Sequence, residues 1–289
     1  MSNAQIFEQG YRRYDGPRLG VGASVRSLAI HSALRALGLR RTFWAKLLPI
    51  ATVVIAYAPV AVFVGFAAIV PNEVKDEFDV IPDYADYFGT ISTAILLFVA
   101  VVGPEVLCPD RKNGMLGLYL ASPLRRETYL LAKVLAVVPV LALVTIGPQV
   151  LLLIGRTLVD AGPDSAVDFA LVLLRAVVAG TVVSALYTGI SLAAASLTDR
   201  RAFASAGVIL LVLLSSGVTS ALVEGADADR RLYLLHLFVL PFELVYRIYG
   251  ERGEEPAIET ISLVLAAAAW ILGSAALVIW RYRKLTITR

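Results

Sequence analysis

Six runs of the sequence, at about 47–70, 88–104, 123–154, 169–198, 203–223 and 257–280, carry almost no charged residues. A helix needs about 20 predominantly apolar residues to cross the roughly 30 Å hydrocarbon core of a bilayer. The runs are continuous, whereas barrel strands alternate residue by residue. The chain is 58% apolar and 17% charged, whereas soluble domains are about half apolar and a quarter charged. The expected fold is an all-α integral membrane protein with six transmembrane helices, forming one domain over 47–289.

The charges are sorted between the two sides of such a bundle. One side collects the first 46 residues, the stretch after the second run, the Asp199-Arg200-Arg201 loop and the tail; it holds 19 Lys/Arg and 6 Asp/Glu. The other side holds 7 Lys/Arg and 17 acids. By the positive-inside rule both termini face the cytoplasm, in a plasma-membrane protein. A seventh crossing at 232–250 would carry the basic tail outside. That segment is broken by His236, Pro241, Glu243 and Arg247, and is expected to be re-entrant or interfacial on the outer side, where protein or water satisfies its backbone.

Residues 1–46 form a cytoplasmic region. The arm at 11–18, Tyr-Arg-Arg-Tyr-Asp-Gly-Pro-Arg, suits anionic headgroups, at about 1 kcal/mol per cation near the surface, or a partner contact. Over 24–46, Ile30, Leu34 and Leu37 form an apolar stripe with Trp44 nearby and His31 and Arg35 away from it, the pattern of an interfacial helix. With no apolar core before residue 47, no cleaved signal peptide is expected, and the first span doubles as the targeting signal.

Several chemistries are excluded by what is missing. No Gly-Lys pair occurs, so there is no Walker loop to cradle ATP. Cys108 has no partner cysteine, and His31 and His236 fall on opposite sides of the membrane; neither a metal site nor a His-dependent triad is expected. An intramembrane enzyme keeps ionisable groups deep in its spans. Here Lys133 and Arg175 lie near span ends, where their stems can snorkel to the headgroups, and Glu243 stands at the outer rim.

The stretch 108–133, Cys-Pro-Asp-Arg-Lys-Asn-Gly-Met-Leu-Gly-Leu-Tyr-Leu-Ala-Ser-Pro-Leu-Arg-Arg-Glu-Thr-Tyr-Leu-Leu-Ala-Lys, separates the second and third runs, the second ending at a Gly103-Pro104 breaker. Between Asp110 and Leu120 a short helix would set Met115, Leu116, Leu118, Tyr119 and Leu120 behind the polar head Asp110, Arg111, Lys112 and Asn113. It is too short to span and too apolar to stand alone in water. It either lies in the inner headgroup layer or fills a groove on a cytosolic partner. Ser122 is a good N-cap with Pro123 at the first helical position, the signal for the start of the third span.

This stretch resembles the cytoplasmic loop after the second span of type-2 ATP-binding cassette export permeases. Those proteins typically show a run of the form E-x-x-x-G-x-L-x-x-L-L-x-x-P-x-x-R-x-x-Y-x-x-x-K. Pro123, Arg126, Tyr129 and Lys133 match it by position, and the helix around Gly114 to Leu120 resembles the coupling helix. The Asp110-Arg111-Lys112 head stands where a Glu-Arg-Glu-like head is common. The six spans, the interfacial helix and the re-entrant segment resemble the same family over nearly the whole chain.

The resemblance implies a permease subunit whose ATP and Mg²⁺ are bound by a separate ATPase pair, with a second copy or a related permease completing the path and membrane lipids around it. No nucleic-acid partner is expected. Asp110, Arg111, Gly114, Met115, Leu116, Leu118, Tyr119 and Leu120 would dock the ATPase. Ser122, Pro123, Arg126, Tyr129 and Lys133 would form the lever that moves spans two and three. Thr90 and Thr93 give span two a sparse polar face, and Ser216 and Ser220 in span five offer the small-xxx-small spacing of a pairing helix; with Glu243 these are candidate path or pairing residues. The absence of deep charge favours a lipophilic or amphipathic cargo. The rival reading is a polytopic protein that does not transport, either an intramembrane enzyme or a signalling anchor.

Overall fold

The computed structural model describes residues 16, 19–39, 43–69 and 82–285. Most of the arm at 11–18, the side chain of Trp44, the acidic loop at 71–81 and the tail at 286–289 lie outside the described residues. The described residues fold entirely as helices: α1 (Val21–Ala36), α2 (Phe43–Ile69), α3 (Tyr84–Thr90), α4 (Ser92–Lys112), α5 (Met115–Ala121), α6 (Arg126–Thr145), α7 (Gly147–Leu158), α8 (Ala166–Leu197), α9 (Arg201–Gly225), a 3-10 turn (Arg230–Leu235), α10 (Val239–Tyr249) and α11 (Thr260–Lys284). Six segments are long and apolar enough to cross a membrane: Lys46–Ile69, Ser92–Lys112, Arg126–Leu158, Ala166–Leu197, Arg201–Gly225 and Thr260–Lys284. The chain is therefore a multi-pass membrane protein.

α4 and α8 form the centre. α4 is the most enclosed span, and α8 packs on α4, α6, α9, α10 and α11. α2 and α9 lie outside, with large apolar side chains such as Val62, Phe66, Leu213 and Leu214 exposed. Lipid tails are as apolar as these side chains, so exposing them carries no penalty in a bilayer.

α4 does not stop at Gly103-Pro104, where its sequence suggests a break; it runs on to Lys112 with Pro104 and Pro109 inside it. Proline removes a donor from the helical ladder, here the one for the Ala100 carbonyl, yet the helix continues. One residue earlier, Ser191 Oγ of α8 donates to the Val99 carbonyl at 2.7 Å, tying the two helices together beside the proline. Gly103 permits that contact, since a Cβ at this position would stand 2.1 Å from Ser191 Oγ. What reads as a breaker is a close approach of the two central helices.

Two other expectations are corrected. The third span's first helix, α6, starts at Arg126, with Arg125 as N-cap, its backbone N–H donating to Thr128 Oγ1 at 2.8 Å; Ser122 instead ends α5, its hydroxyl donating to the Tyr119 carbonyl at 2.5 Å. A buried Leu124 anchors the intervening turn, so the serine is held to the helix behind it. The helix ahead of the first span ends at Ala36 rather than continuing to 46, closed by Gly38 N–H on Arg35 O and Leu39 N–H on Leu34 O, a Schellman pair.

α1 also turns an unexpected face inward. Leu28, Ala29, Ser32 and Ala36 are buried, while Ile30 of the apolar stripe is 46% exposed. Arg35 points at the end of α4, where an acid awaits it.

At the other end of the bundle, the segment after α9 reaches far between the spans. Leu237 N–H donates to Ser215 Oγ at 3.2 Å, Tyr187 Oη donates to Leu237 O at 3.1 Å, and Trp270 Nε1 donates to Leu234 O at 3.4 Å. Ser215 and Trp270 each lie ten residues inside their helices, about 15 Å from the ends at 1.5 Å per residue.

His236 caps α10. Its Nδ1 accepts from Phe238 N–H at 3.3 Å and Val239 N–H at 3.0 Å, which requires the neutral ring. Burial lowers the imidazole pKa, opposed by the charges of Glu224 and Glu254. A depressed folded pKa contributes stability above the ordinary value of about 6.5 and loses it as pH falls through the lower folded value. Thermal unfolding in detergent should therefore show a midpoint falling from pH 7 to pH 5. In His236→Asn, which keeps a capping acceptor, that fall should be smaller; an identical fall would rule out the histidine as its source.

Candidate functional site

The end of the bundle that carries α5 is held together by side chains of the motif stretch. Asp110 closes α4 and is completely buried. One carboxylate oxygen accepts from Arg35 Nη2 of α1 at 2.8 Å. The other meets Lys133 Nζ of α6 at 2.6 Å and the Tyr129 hydroxyl at 3.0 Å. Lys133, also 0% exposed, donates to Ser32 Oγ of α1 at 2.8 Å and lies 5.6 Å and 5.2 Å from the ring centres of Tyr119 and Tyr129. Charges taken out of water are tolerated when paired and fully hydrogen-bonded. In the cluster every charge is paired, with Arg35 Nε the one buried donor left without a partner among the described residues, and it fastens α1, α4 and α6 to one another.

The neighbouring arginines secure the other spans. The last carbonyls of a helix have no intrahelical donor, and cations favour that end of the helix dipole. Arg111 Nη1 donates to Ser196 O at 2.5 Å and Thr198 O at 3.1 Å, closing α8. Arg126 donates to Tyr282 O at 2.9 Å, Arg283 O at 2.6 Å and Leu285 O at 3.1 Å, closing α11. Glu105 of α4 pairs with Arg201 at the start of α9. Five of the six spans thus converge on the segment that flanks α5, and α1 is latched beside them.

α5 itself projects. Gly114 occupies the left-handed region at φ 65°, and with Asn113 it turns the chain from α4 into α5 in two residues. Lys112, Asn113, Gly114 and Ala121 are exposed, Leu118 is 67% exposed, Met115, Tyr119 and Leu120 are half-buried, and Leu116 faces inward at 9%. Ser122 and Pro123 are exposed at its far end.

The structure therefore sorts the motif residues into two groups. Gly114, Met115, Leu118, Tyr119 and Leu120 lie on or beside a projecting surface. Asp110, Arg111 and Leu116, also expected there, point into the bundle, because acceptors and apolar contacts wait for them inside. Tyr129 and Lys133 belong to the buried cluster, so Lys133 does not snorkel: a carboxylate within reach holds it more strongly than headgroups beyond. Arg175 donates to Tyr249 O at 3.0 Å.

The remaining candidates are scattered. Thr90 belongs to α3, its hydroxyl 3.4 Å from Asp86 O, and Thr93 is exposed at the start of α4. Ser216 bonds within the chain, to Val212 O at 2.8 Å and to His236 Nδ1 at 3.4 Å, and Ser220 sits beside the Tyr233 phenol. Glu243 is 2% exposed; its Oε1 accepts from Glu255 N–H at 2.8 Å, and with Arg247, which donates to Glu255 O and Ile258 O, it fastens α10 to the loop before α11. Among the described residues no group of His, Cys, Asp and Glu is placed to hold a metal ion.

Sequence reasoning missed Arg35, Ser32, Glu105, Arg201 and Tyr282 as members of this end plate. The available signals were an arginine in the apolar part of α1 and an acid, Glu105, directly after Pro104.

Five of the six spans are gathered at one end of a helical membrane domain, with the short helix α5 projecting beside them. The sequence pattern of the ABC-2 family transporter proteins matches residues 67–280, and the chain belongs to that family. No curated protein matches it.

Proposed function

We propose that the chain is the permease subunit of an ATP-driven exporter, with α5 as the helix that receives a separate ATPase. The observation that carries this is the contrast between α5, which leaves Leu118 exposed, and its flanks, which are bonded to five spans. An apolar side chain on a short projecting helix suits the helix-in-groove mode of recognition. A push on α5 would pass through Asp110, Arg111 and Arg126 to α1, α6, α8 and α11 together, so the lever is a plate rather than spans two and three alone.

The α5 side is cytoplasmic in this reading, following the excess of Lys/Arg there. The segment 230–249 is re-entrant from the outer side, supported by its contacts with Ser215 and Trp270 and by a backbone satisfied within protein. Two such subunits, or one and a related chain, line the path, and the ATPase pair supplies ATP and Mg²⁺. The cargo is lipophilic or amphipathic, in keeping with spans whose buried charges are concentrated in the end plate.

Leu118→Asp tests the docking surface without disturbing the core. The variant should insert and melt like the parent, yet no longer retain its partner ATPase or stimulate that subunit's hydrolysis in reconstituted vesicles. Leu116→Asp is a poorer choice, since its side chain is buried and misfolding would mimic the result. Undiminished ATPase retention by Leu118→Asp would remove α5 from the interface.

A further inference from the structure

A groove of about 950 Å³ opens between α9 and α11, with α8 as its floor. Ala193, Gly207, Ala266, Ala269 and Gly273 line it where larger side chains would close it, and a Cβ built on Gly207 or Gly273 meets nothing within 4 Å. In lipid, small residues ordinarily let helices come together. Here they leave α9 and α11 apart.

The groove is shaped for something that enters from one side of the membrane. One end is lined by Thr198 and Phe203, on the α5 side; Leu234 and Leu235 of the 3-10 turn line the other. From Thr198 to Ile190 on α8 and from Phe203 to Leu211 on α9 the distance is about 12 Å at 1.5 Å per residue. One leaflet of hydrocarbon is about 15 Å thick.

The end on the α5 side is basic and aromatic. The Arg200 guanidinium lies 5.7 Å from the ring centre of Phe203, and Lys284 Nζ lies 4.2 Å from that of Trp280. A Cβ built on Gly189 of α8 would stand 3.2 Å from Ser274 Cβ of α11, which sets the register of the two helices. Nine residues on, Thr198 is then level with Arg283, so Trp280 and Lys284 bracket the groove mouth. Arg281, half-buried on the same stretch, has an Nε without a hydrogen-bond partner among the described residues. Asp199 is the adjoining acid.

We propose that this groove holds one acyl chain of an anionic phospholipid from the leaflet on the α5 side, with its phosphate between the Arg200 and Lys284 side chains. The apolar channel takes the chain, the aromatic rings sit at the glycerol level, and the cations meet the phosphate, as basic pockets between membrane helices do. The proposal needs only the membrane-spanning bundle and stands whether or not an ATPase docks on α5.

Tryptophan quenching tests it on the full chain. In a Trp44→Phe background, Trp270 in the groove and Trp280 at its mouth report on lipids brominated at mid-chain. Vesicles of phosphatidylcholine would carry the same minor fraction of brominated phosphatidylglycerol or brominated phosphatidylcholine. The glycerol lipid should quench with roughly thirtyfold higher apparent affinity, the scale expected when two cations at about 1 kcal/mol each meet one phosphate. Arg200→Ala combined with Lys284→Ala should abolish the preference, and Gly273→Leu, which fills the groove without a clash, should weaken quenching of Trp270 by both lipids. Equal quenching of the parent by the two lipids would overturn the proposal, as would a preference that survives the double substitution. Absence of quenching by either lipid would overturn it as well, and is the result expected if a helix of a second copy fills the groove.

Discussion

Asp110→Asn is expected to lower the stability of the folded chain by about 3–5 kcal/mol, the range for removing one partner of a buried ion pair. The substitution keeps the shape of the side chain and an oxygen for Tyr129, so it isolates the charge. It leaves Lys133, 0% exposed, next to Arg35 with no carboxylate between them. Lys133→Met should cost less, because Asp110 still pairs with Arg35 and accepts from Tyr129. The double substitution should be more stable than Asp110→Asn alone, since the stranded ammonium is gone. Thermal unfolding of the detergent-solubilised protein measures all three. Losses that simply add would show that the two groups act separately and that the cluster is not one unit. Because the same residues gather the spans, Asp110→Asn should also weaken ATPase retention, even though the carboxylate never reaches the surface.

The spans were legible because a single property, absence of charge over about 20 residues, is enough to specify a crossing. What happens at the ends of those spans was not, because it depends on partners remote in sequence. Arg111 meets carbonyls some 85 residues away and Arg126 meets carbonyls more than 150 away; nothing in the local pattern distinguishes a docking arginine from one that closes a neighbouring helix. Pro104 is a second case. Local rules place a break there, but packing against α8, with Ser191 bonded to the Val99 carbonyl, carries the helix through it. Asp110 is the clearest. In an Asp-Arg-Lys run beside a glycine it reads as part of a polar head, and only the arrival of Arg35 and Lys133 from two other helices makes the interior its better environment. The exposed half of α5, by contrast, was readable from Gly114 and the apolar residues after it, since projection needs no partner within the chain.

Gly114 is where that projection is set, and substitutions there should separate docking from folding. At φ 65° a side chain costs roughly 1–2 kcal/mol, with asparagine tolerated best and β-branched residues worst. A Cβ at this position meets no atom within 4 Å, so the cost is in backbone conformation alone, and the two-residue turn can relieve it by swinging α5. The buried cluster at Asp110 and the caps at Arg111 and Arg126 do not involve that turn. Gly114→Asn, Gly114→Ala and Gly114→Val should therefore insert normally and lose little thermal stability, while ATPase retention falls progressively in that order. For the valine variant the loss should reach tenfold or more, since tenfold corresponds to only about 1.4 kcal/mol of misaligned interface. If valine at this position leaves retention at the parental level, the direction of α5 does not matter to the partner, and docking must rest on the surrounding exposed residues instead. If all three variants unfold together with their loss of retention, the turn is part of the folding core and α5 is not an independent projection.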